Sequence, residues 1–432
     1  MEHTAQQDSL RIAIIGGGAV GIFGAITAAT NNSSVEVVVF EATGEALDKV
    51  RVSGGGRCNV THNCFDPVEL VKGYPRGHKE LRGAFSRFQA KDTVEWFKSR
   101  GVKLKAESDG RMFPITDDSA TIVNCLLDAA RQAGVRVRLN ARVKEVVAIG
   151  TATNPQFEIE LHDGSRHRFD RVLIATGSAK QGHRFAEGLG HTIVPCVPSL
   201  FTFKVKDARI NELAGVSIER VKLTLVTPDN TKFEQTGPML ITHWGLSGPA
   251  VLKLSAWGAR ELHDTMYHAA LTANFEPDVS VDDLYAALLE FKQAHGKKRV
   301  STDGPFDLPR RYWSRIVQYV GVGEDVTWTN LTKEAMQALI SESTSAEFAV
   351  VGKGIFKEEF VTCGGVSLRE VDFATMQSKV CPGLFLAGEV LDIDGITGGY
   401  NFQSAWTTGW LAGRGMGETE TNWSYSLVSP NG

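Results

Sequence analysis

Residues 11–15 are an arginine followed by four apolar positions, too brief a run for a helix and closed by glycine, which predicts a short buried strand. Glycines at 16, 17, 18 and 21 follow, and small residues to about 30 predict a closely packed helix. A second apolar run, 35–40, ends in Glu41, so the chain opens with a strand–helix–strand unit. Residues 49–63 are glycine-rich and read as a loop. Apolar spacing predicts helices over 81–97 and 121–133, and strands over 136–147, 156–161 and 168–175. From about 194 the texture changes. Prolines at 195 and 198 precede alternating stretches such as 200–205 and 221–226, which predict antiparallel strands. Residues 282–295 and 310–319 read as helices with basic flanks. Glycines return at about 352, 384–388 is another buried strand, and 404–413 is a closing helix. The simplest organisation is one α/β domain built from 1–193 and 352–418. A second domain, 194–351, is inserted into it, with a helical part at about 278–335, and a polar tail occupies 419–432.

Composition narrows the class. The 432 residues are 42% hydrophobic and 22% charged, ordinary for a globular protein, which excludes a disordered or fibrous chain. The formal net charge of −4 disfavours a globally basic nucleic-acid binder but not a local basic patch. Cysteines 58, 64, 125, 196, 363 and 381 form no C-x-x-C pair, and no His/Cys cluster has zinc spacing. Free thiols in a reducing, cytoplasmic setting are expected, with no metal site. The polar start lacks a signal-peptide pattern. The uncharged run 12–35 is long enough to suggest a membrane span, but its five glycines and the polar 31–34 argue for a nucleotide-binding turn and against membrane association.

Those glycines carry the first chemistry. Gly16-x-Gly18-x-x-Gly21 follows a strand and opens a helix at Ala19, and Glu41 stands 20 residues after Gly21. Gly16 permits the tight turn, Gly18 lets a pyrophosphate approach the backbone, and Gly21 lets helix and strand pack. The helix N-terminus offers unpaired N–H groups to phosphate, and Glu41 would accept from ribose hydroxyls. That carboxylate repels a 2′-phosphate, so the site suits FAD or NAD. The other end of the chain favours FAD. Residues 382–389 close a strand on Gly388-Glu389, the pair that holds the ribityl chain in FAD proteins of the glutathione-reductase type. Gly398-Gly399-Tyr400-Asn401 then opens the last helix, whose N-terminus would face the flavin N1/C2=O edge. Ala175-Thr176-Gly177 resembles a recurrent strand end of that class.

Three longer motifs are more specific: Ser53-Gly54-Gly55-Gly56-Arg57-Cys58-Asn59-Val60-Thr61, Thr242-His243-Trp244-Gly245-Leu246-Ser247-Gly248-Pro249-Ala250, and the run from Ala387 through Asp394 to Asn401. Together they resemble the BaiN/RdsA family of NAD(P)/FAD-dependent oxidoreductases over about residues 11–413. Residues 74–81 look most like a plant and cyanobacterial subgroup. The resemblance implies an α/β fold: a glutathione-reductase-type FAD-binding Rossmann domain with an inserted β-barrel plus a small helical subdomain. It also implies C=C reduction, of a steroid-like enone or of a uracil ring in ribosomal RNA, with hydride passing from NAD(P)H through FAD. Many members carry A-T-G-G and a longer loop where this chain has the shorter 175–183.

The expected FAD contacts are Gly16, Gly18, Ala19, Gly21 and Glu41 at the first turn, with Lys49 and Val143 beside it. Gly56, Arg57, Cys58 and Asn59 are expected at the flavin ring. Thr176, Gly177, Gly388, Glu389, Asp394, Gly399, Tyr400 and Asn401 complete the set. Cys58, His243 and Tyr400 are the candidate proton donors, and a Cys58–Cys64 redox pair stands as an alternative. Basic residues 72, 76, 79, 82 and 87, and a second group at 292, 297–299, 310, 311 and 315 interleaved with Tyr312 and Trp313, suit RNA backbone and base contact. Charge runs of this kind are more often a solvated helix face, which is the alternative account of them. No second glycine fingerprint exists, so NAD(P)H would dock transiently over the flavin. The reading is an FAD-dependent reductase of an activated C=C bond in a small enone or in ribosomal RNA. Its rivals are an oxidase passing electrons to O₂ and a non-catalytic flavin-bearing binding protein.

Overall fold

The computed structural model describes residues 9–354 and 361–418; the polar tail lies outside them. The chain divides into two compact units. One comprises residues up to Pro195 and from Gly364, the other Cys196–Cys363. The return crossing falls later than the expected 351, because Ala346–Lys353 is a barrel strand and the chain then runs into Val361–Val366, which pairs with Ile193–Ser199.

The first unit is built on a seven-stranded sheet in the order Val371–Asp372, Gln377–Ser378, Leu384–Leu386, Arg171–Ile174, Arg11–Ile15, Glu36–Phe40, Arg136–Arg138. From Leu384–Leu386 onward the neighbours are parallel. Parallel strands are covered on both faces, and Ile12, Ile14, Val39 and Leu173 are fully buried. An antiparallel three-stranded sheet, Val143–Ala148, Phe157–Leu161 and Arg166–Phe169, is the second layer of strands.

Several expected elements divide. The strand expected at 136–147 is two strands, in different sheets, broken at Asn140 with φ +54°. The strand expected at 168–175 breaks at Asp170, whose carboxylate accepts from the Arg11 N–H at 2.8 Å. The helix expected at 81–97 is His78–Phe85 and Ala90–Lys98. The second restarts where Asp92 accepts from the Gln89 N–H at 2.8 Å. The loop expected at 49–63 begins as a helical stretch, Asp48–Gly56, which loses helical geometry at Ser53.

The closing helix is Tyr400–Gly417, longer than expected, and it lies along Ala19–Asn31. A Cβ would stand 3.0 Å from Val20 O at Gly409, 2.5 Å from Gly24 O at Gly413, and 3.1 Å from Ala28 O at Gly417. Matching four-residue steps on both helices mean that they run parallel. Their N-termini therefore lie at the same end, where strand Arg11–Ile15 hands the chain to the first helix.

The second unit is a closed antiparallel barrel in the order Phe203–Val205, Gly245–Ser247, Lys232–Thr242, Ser217–Val226, His268–Asn274, Ala346–Lys353. Leu223, Leu225, Leu271, Ala273, Phe348 and Val350 alternate into its core. Helices Val281–Ala294, Arg310–Tyr319 and Lys333–Thr344 are inserted between its last two strands in sequence. Helix Pro249–Trp257 has no expected counterpart. Its apolar residues form no single stripe, so its pattern gives no helical period. Among the described residues no helix is long and apolar enough to cross a membrane.

Candidate active site

The glycine turn has the geometry its spacing requires. Gly16 adopts φ +110°, and a Cβ there would run into the Ala175 carbonyl. A Cβ on Gly21 would run into the Gly16 carbonyl, so the first helix meets the first strand backbone to backbone. At Gly18, by contrast, an added Cβ would meet nothing within 4 Å. A pyrophosphate-sized group fits that open position at the start of the helix. Glu41 accepts from the Gly17 N–H at 2.7 Å and from the Thr43 N–H and hydroxyl, both at 2.9 Å. The carboxylate thus braces the turn, and a carboxylate has acceptor capacity beyond those bonds.

Three expected residues from distant segments meet beside this turn. Lys49 Nζ is 3.2 Å from Glu389 Oε2 and 3.5 Å from Ser178 Oγ, while Gly177, at φ +61°, lies against both Lys49 and Glu389. The Lys49 side chain is 67% exposed, so this pair is weak and can rearrange around an anion. Thr176 Oγ1 is buried without a hydrogen-bond partner among the described residues. The open space over Gly18 at the helix start, with the exposed Lys49 beside it, leaves room for an anionic dinucleotide, so the residues fit FAD. Gly388, at φ +74°, donates its N–H to Thr408 Oγ1 at 3.0 Å. Val143 is buried at the start of its strand.

The second cluster forms at the start of the last helix. With its amide turned to satisfy both neighbours, Asn59 donates to Thr61 O at 3.1 Å and accepts from the Gly399 N–H at 2.9 Å. The Tyr400 ring stacks on His62 with centroids 4.7 Å apart, and the Tyr74 hydroxyl donates to the Tyr400 carbonyl at 2.6 Å. Burial, with Cys64 nearby as a smaller cause, pushes the Tyr400 phenol up to about 12. It therefore stays protonated at neutral pH. His62 and Tyr74 were not among the expected residues. The signal for His62 was its place directly after the Gly-rich motif.

Other expected side chains are engaged elsewhere. Cys58 is fully buried, and burial pushes its thiol up to about 12. Cys58 and Cys64 are both free thiols. Cys58→Ala is accordingly expected to keep flavin content and turnover within about twofold, at a stability cost of ~1 kcal/mol, as measured by absorbance, steady-state rate and thermal unfolding. Next to it, Gly56 has open space over its Cα. Arg57 covers the Phe113 ring at 3.9 Å and pairs with Glu107 at 2.7 Å and Asp117 at 3.5 Å, which anchors the loop. Asp394, expected among the cofactor contacts, is engaged with the protein itself. It is fully buried and its carboxylate is gripped by Arg76. The Asn401 amide clamps Gly395 through two 2.8 Å bonds. His243 belongs to the second unit, exposed in the turn between Lys232–Thr242 and Gly245–Ser247.

The aromatic part of the RNA expectation is corrected. Tyr312 and Trp313 are 0% and 2% exposed, so neither can stack on a base. In the other basic stretch Arg76 is taken by Asp394 and Lys72 pairs with Glu69, while Lys79, Arg82 and Arg87 are exposed.

Comparison with known proteins identifies the family. The model of the HI0933-like protein Rossmann domain matches residues 10–415. A 3-dehydro-bile acid delta(4,6)-reductase of Clostridium scindens is 30% identical over 94% of this chain and 99% of its own. A ribosomal RNA dihydrouridine synthase of Escherichia coli is 31% identical over 93% and 97%. Among solved structures, a 3-ketosteroid-delta4-(5alpha)-dehydrogenase of Rhodococcus jostii aligns over 96% of this chain and 98% of its own, with a TM-score of 0.50 at 13% identity, a likeness of fold alone. Matched by one family model almost end to end and by full-length relatives, the chain belongs to the HI0933-like, or BaiN/RdsA, family of FAD-dependent oxidoreductases.

Proposed function

We propose that this protein reduces a C=C bond conjugated to a carbonyl, with NAD(P)H as electron donor and FAD as the bound cofactor, and that it acts in the cytoplasm. The observation that carries the reading is the pair of parallel helices whose glycine-led N-termini share one end of the sheet. One terminus suits the pyrophosphate and the other an electron-rich ring edge. The names of the two relatives describe one bond change, saturation of an activated alkene, in a steroid-like acid and in a uracil ring. The uracil ring of ribosomal RNA is the substrate favoured here, because exposed basic residues are present on both units. A small conjugated enone is the other substrate of the same chemistry.

When bound, FAD would accept hydride and pass it to the β-carbon of the substrate. The chain's own residues hold and protonate. Gly18 and the first helix N-terminus would take the pyrophosphate, Glu41 the ribose, and Lys49 with Glu389 the region beside Gly177. Tyr400 would deliver a proton to the α-carbon. Its ring is fixed by stacking on His62, and burial holds the phenol in its protonated form. Tyr400→Phe is expected to lower kcat by about 100-fold or more while flavin content is kept, measured by anaerobic single turnover with substrate.

The test of the whole reading is an anaerobic titration of the purified protein with NADH and then NADPH. Bleaching of the flavin band near ~450 nm supports it. A bound flavin that neither nucleotide bleaches removes the electron donor proposed here. No flavin after added FAD removes the reading.

A further inference from the structure

The helical part of the second unit holds a pocket of about 490 Å³ that none of the residues discussed for flavin lines. Lys298, Arg299 and Arg310 stand around it with Asp303, over a floor that includes Phe306 and Trp313. The floor is nearly closed, with Phe306 8% and Trp313 2% exposed, and the indole N–H is spent on Val300 O at 2.7 Å. It offers apolar shape and no competing donor. The walls are different. Lys298 lies 3.7 Å from Asp303 and Arg299 3.0 Å from Asp325, both pairs with every side chain more than half exposed. Such pairs hold weakly and exchange partners easily. Arg310 opens helix Arg310–Tyr319, is exposed, and makes no ion pair among the described residues.

Three cations, with Asp303 on the wall and Asp325 paired to Arg299, leave one positive charge, that of Arg310, which favours an anion. The arginine forks match the oxygens of phosphate in two-point contact. The volume exceeds that of a bare phosphate and leaves room for the sugar attached to it. A neutral or cationic ligand would leave Arg310 unanswered. A flat base has no exposed ring to stack on, so recognition rests on the phosphate and not on base identity.

We infer that this pocket binds a backbone phosphate of an RNA strand. The inference rests on the RNA arm of the proposed function and deepens it by giving the second unit a role in holding the strand. An RNA phosphate gripped there would fix the strand without reading its sequence.

The test uses the full-length protein with FAD and a fluorescein-labelled single-stranded oligoribonucleotide containing uridine, followed by anisotropy across a salt series. Arg310→Ala is expected to weaken binding about tenfold and to reduce the log–log salt slope by about one phosphate contact, ~0.7 for a single strand. Arg310→Lys should stay within about threefold. Lys333→Glu, which does not line the pocket, should bind like the parent. Unchanged binding in Arg310→Ala, or no binding of the oligonucleotide by the parent, overturns the inference. Uridine 5′-monophosphate competing as well as the oligonucleotide, per phosphate, would show a free-nucleotide site and overturn the strand assignment. Bleaching by NADH or NADPH on the same samples reports on the flavin reading separately. Normal bleaching without RNA binding defeats this inference alone.

Discussion

Gly18→Leu folds like the parent but comes through purification without flavin: that is the expected result, and it separates the cofactor site from the scaffold. Gly18 has φ −80° and ψ −168°, a conformation open to any L residue. A Cβ there meets nothing within 4 Å, so the new side chain strains nothing in the FAD-free protein. It does fill the space in front of the first helix, where phosphate oxygens would meet backbone N–H groups. Losing that approach should weaken FAD by about 100-fold or more, equivalent to ~2.7 kcal/mol. The measurement pairs an FAD titration with the thermal midpoint of the FAD-free form. Gly16→Ala is the contrasting case. Its φ of +110° and the Ala175 carbonyl in its path make that change costly to the turn itself. Parent-like FAD affinity in Gly18→Leu would place the cofactor somewhere other than this turn.

The largest stability effect is expected at Arg76. Arg76→Ala removes the guanidinium from a carboxylate whose side chain is 0% exposed, while the arginine itself is 16% exposed. Breaking a buried pair from one side leaves a desolvated charge and costs about 3–5 kcal/mol. Removing both charges is much cheaper, so Arg76→Met/Asp394→Leu should recover most of the loss. Urea unfolding of the FAD-free protein, followed by tryptophan fluorescence, measures both. Equal instability in single and double variants would mean that the loop depends on shape and not on this ion pair. The pair also ties the segment before Tyr400 to the segment before helix His78–Phe85, so Arg76→Ala should lower turnover more than flavin content.

The parts of this fold legible in the sequence are those written in short-range pattern. The Ile-Ala-Ile-Ile and Val-Val-Val runs could only be buried strands, and the glycine spacing between them specified turn, helix and acid together. What escaped the sequence depends on contacts between distant segments. Asp394 sits in a motif that reads as cofactor-facing, yet Arg76, remote in sequence, claims it. Cys58 stands beside an arginine and an asparagine and reads as reactive, but burial decides its chemistry. Tyr312 and Trp313 read as a stacking surface because basic residues flank them, whereas helical phase turns both inward. His62 was missed because a single histidine after a glycine loop carries no period. Its stacking on Tyr400 exists only once the last helix has docked.

That docking sets the order in which the protein can be made. Helix Ala19–Asn31 leaves the ribosome long before Tyr400–Gly417, the partner it meets through glycine-to-backbone contact and the last of the described elements. The sheet likewise waits for Leu384–Leu386 beside Arg171–Ile174. The barrel and its helices are complete in the chain before either arrives. The inserted unit can therefore fold during synthesis, whereas the first unit must keep its opening strands unclosed until Tyr400–Gly417 has emerged. A transcript or ribosome that stops short of residue 400 would yield a sound barrel attached to a permanently unfinished nucleotide fold.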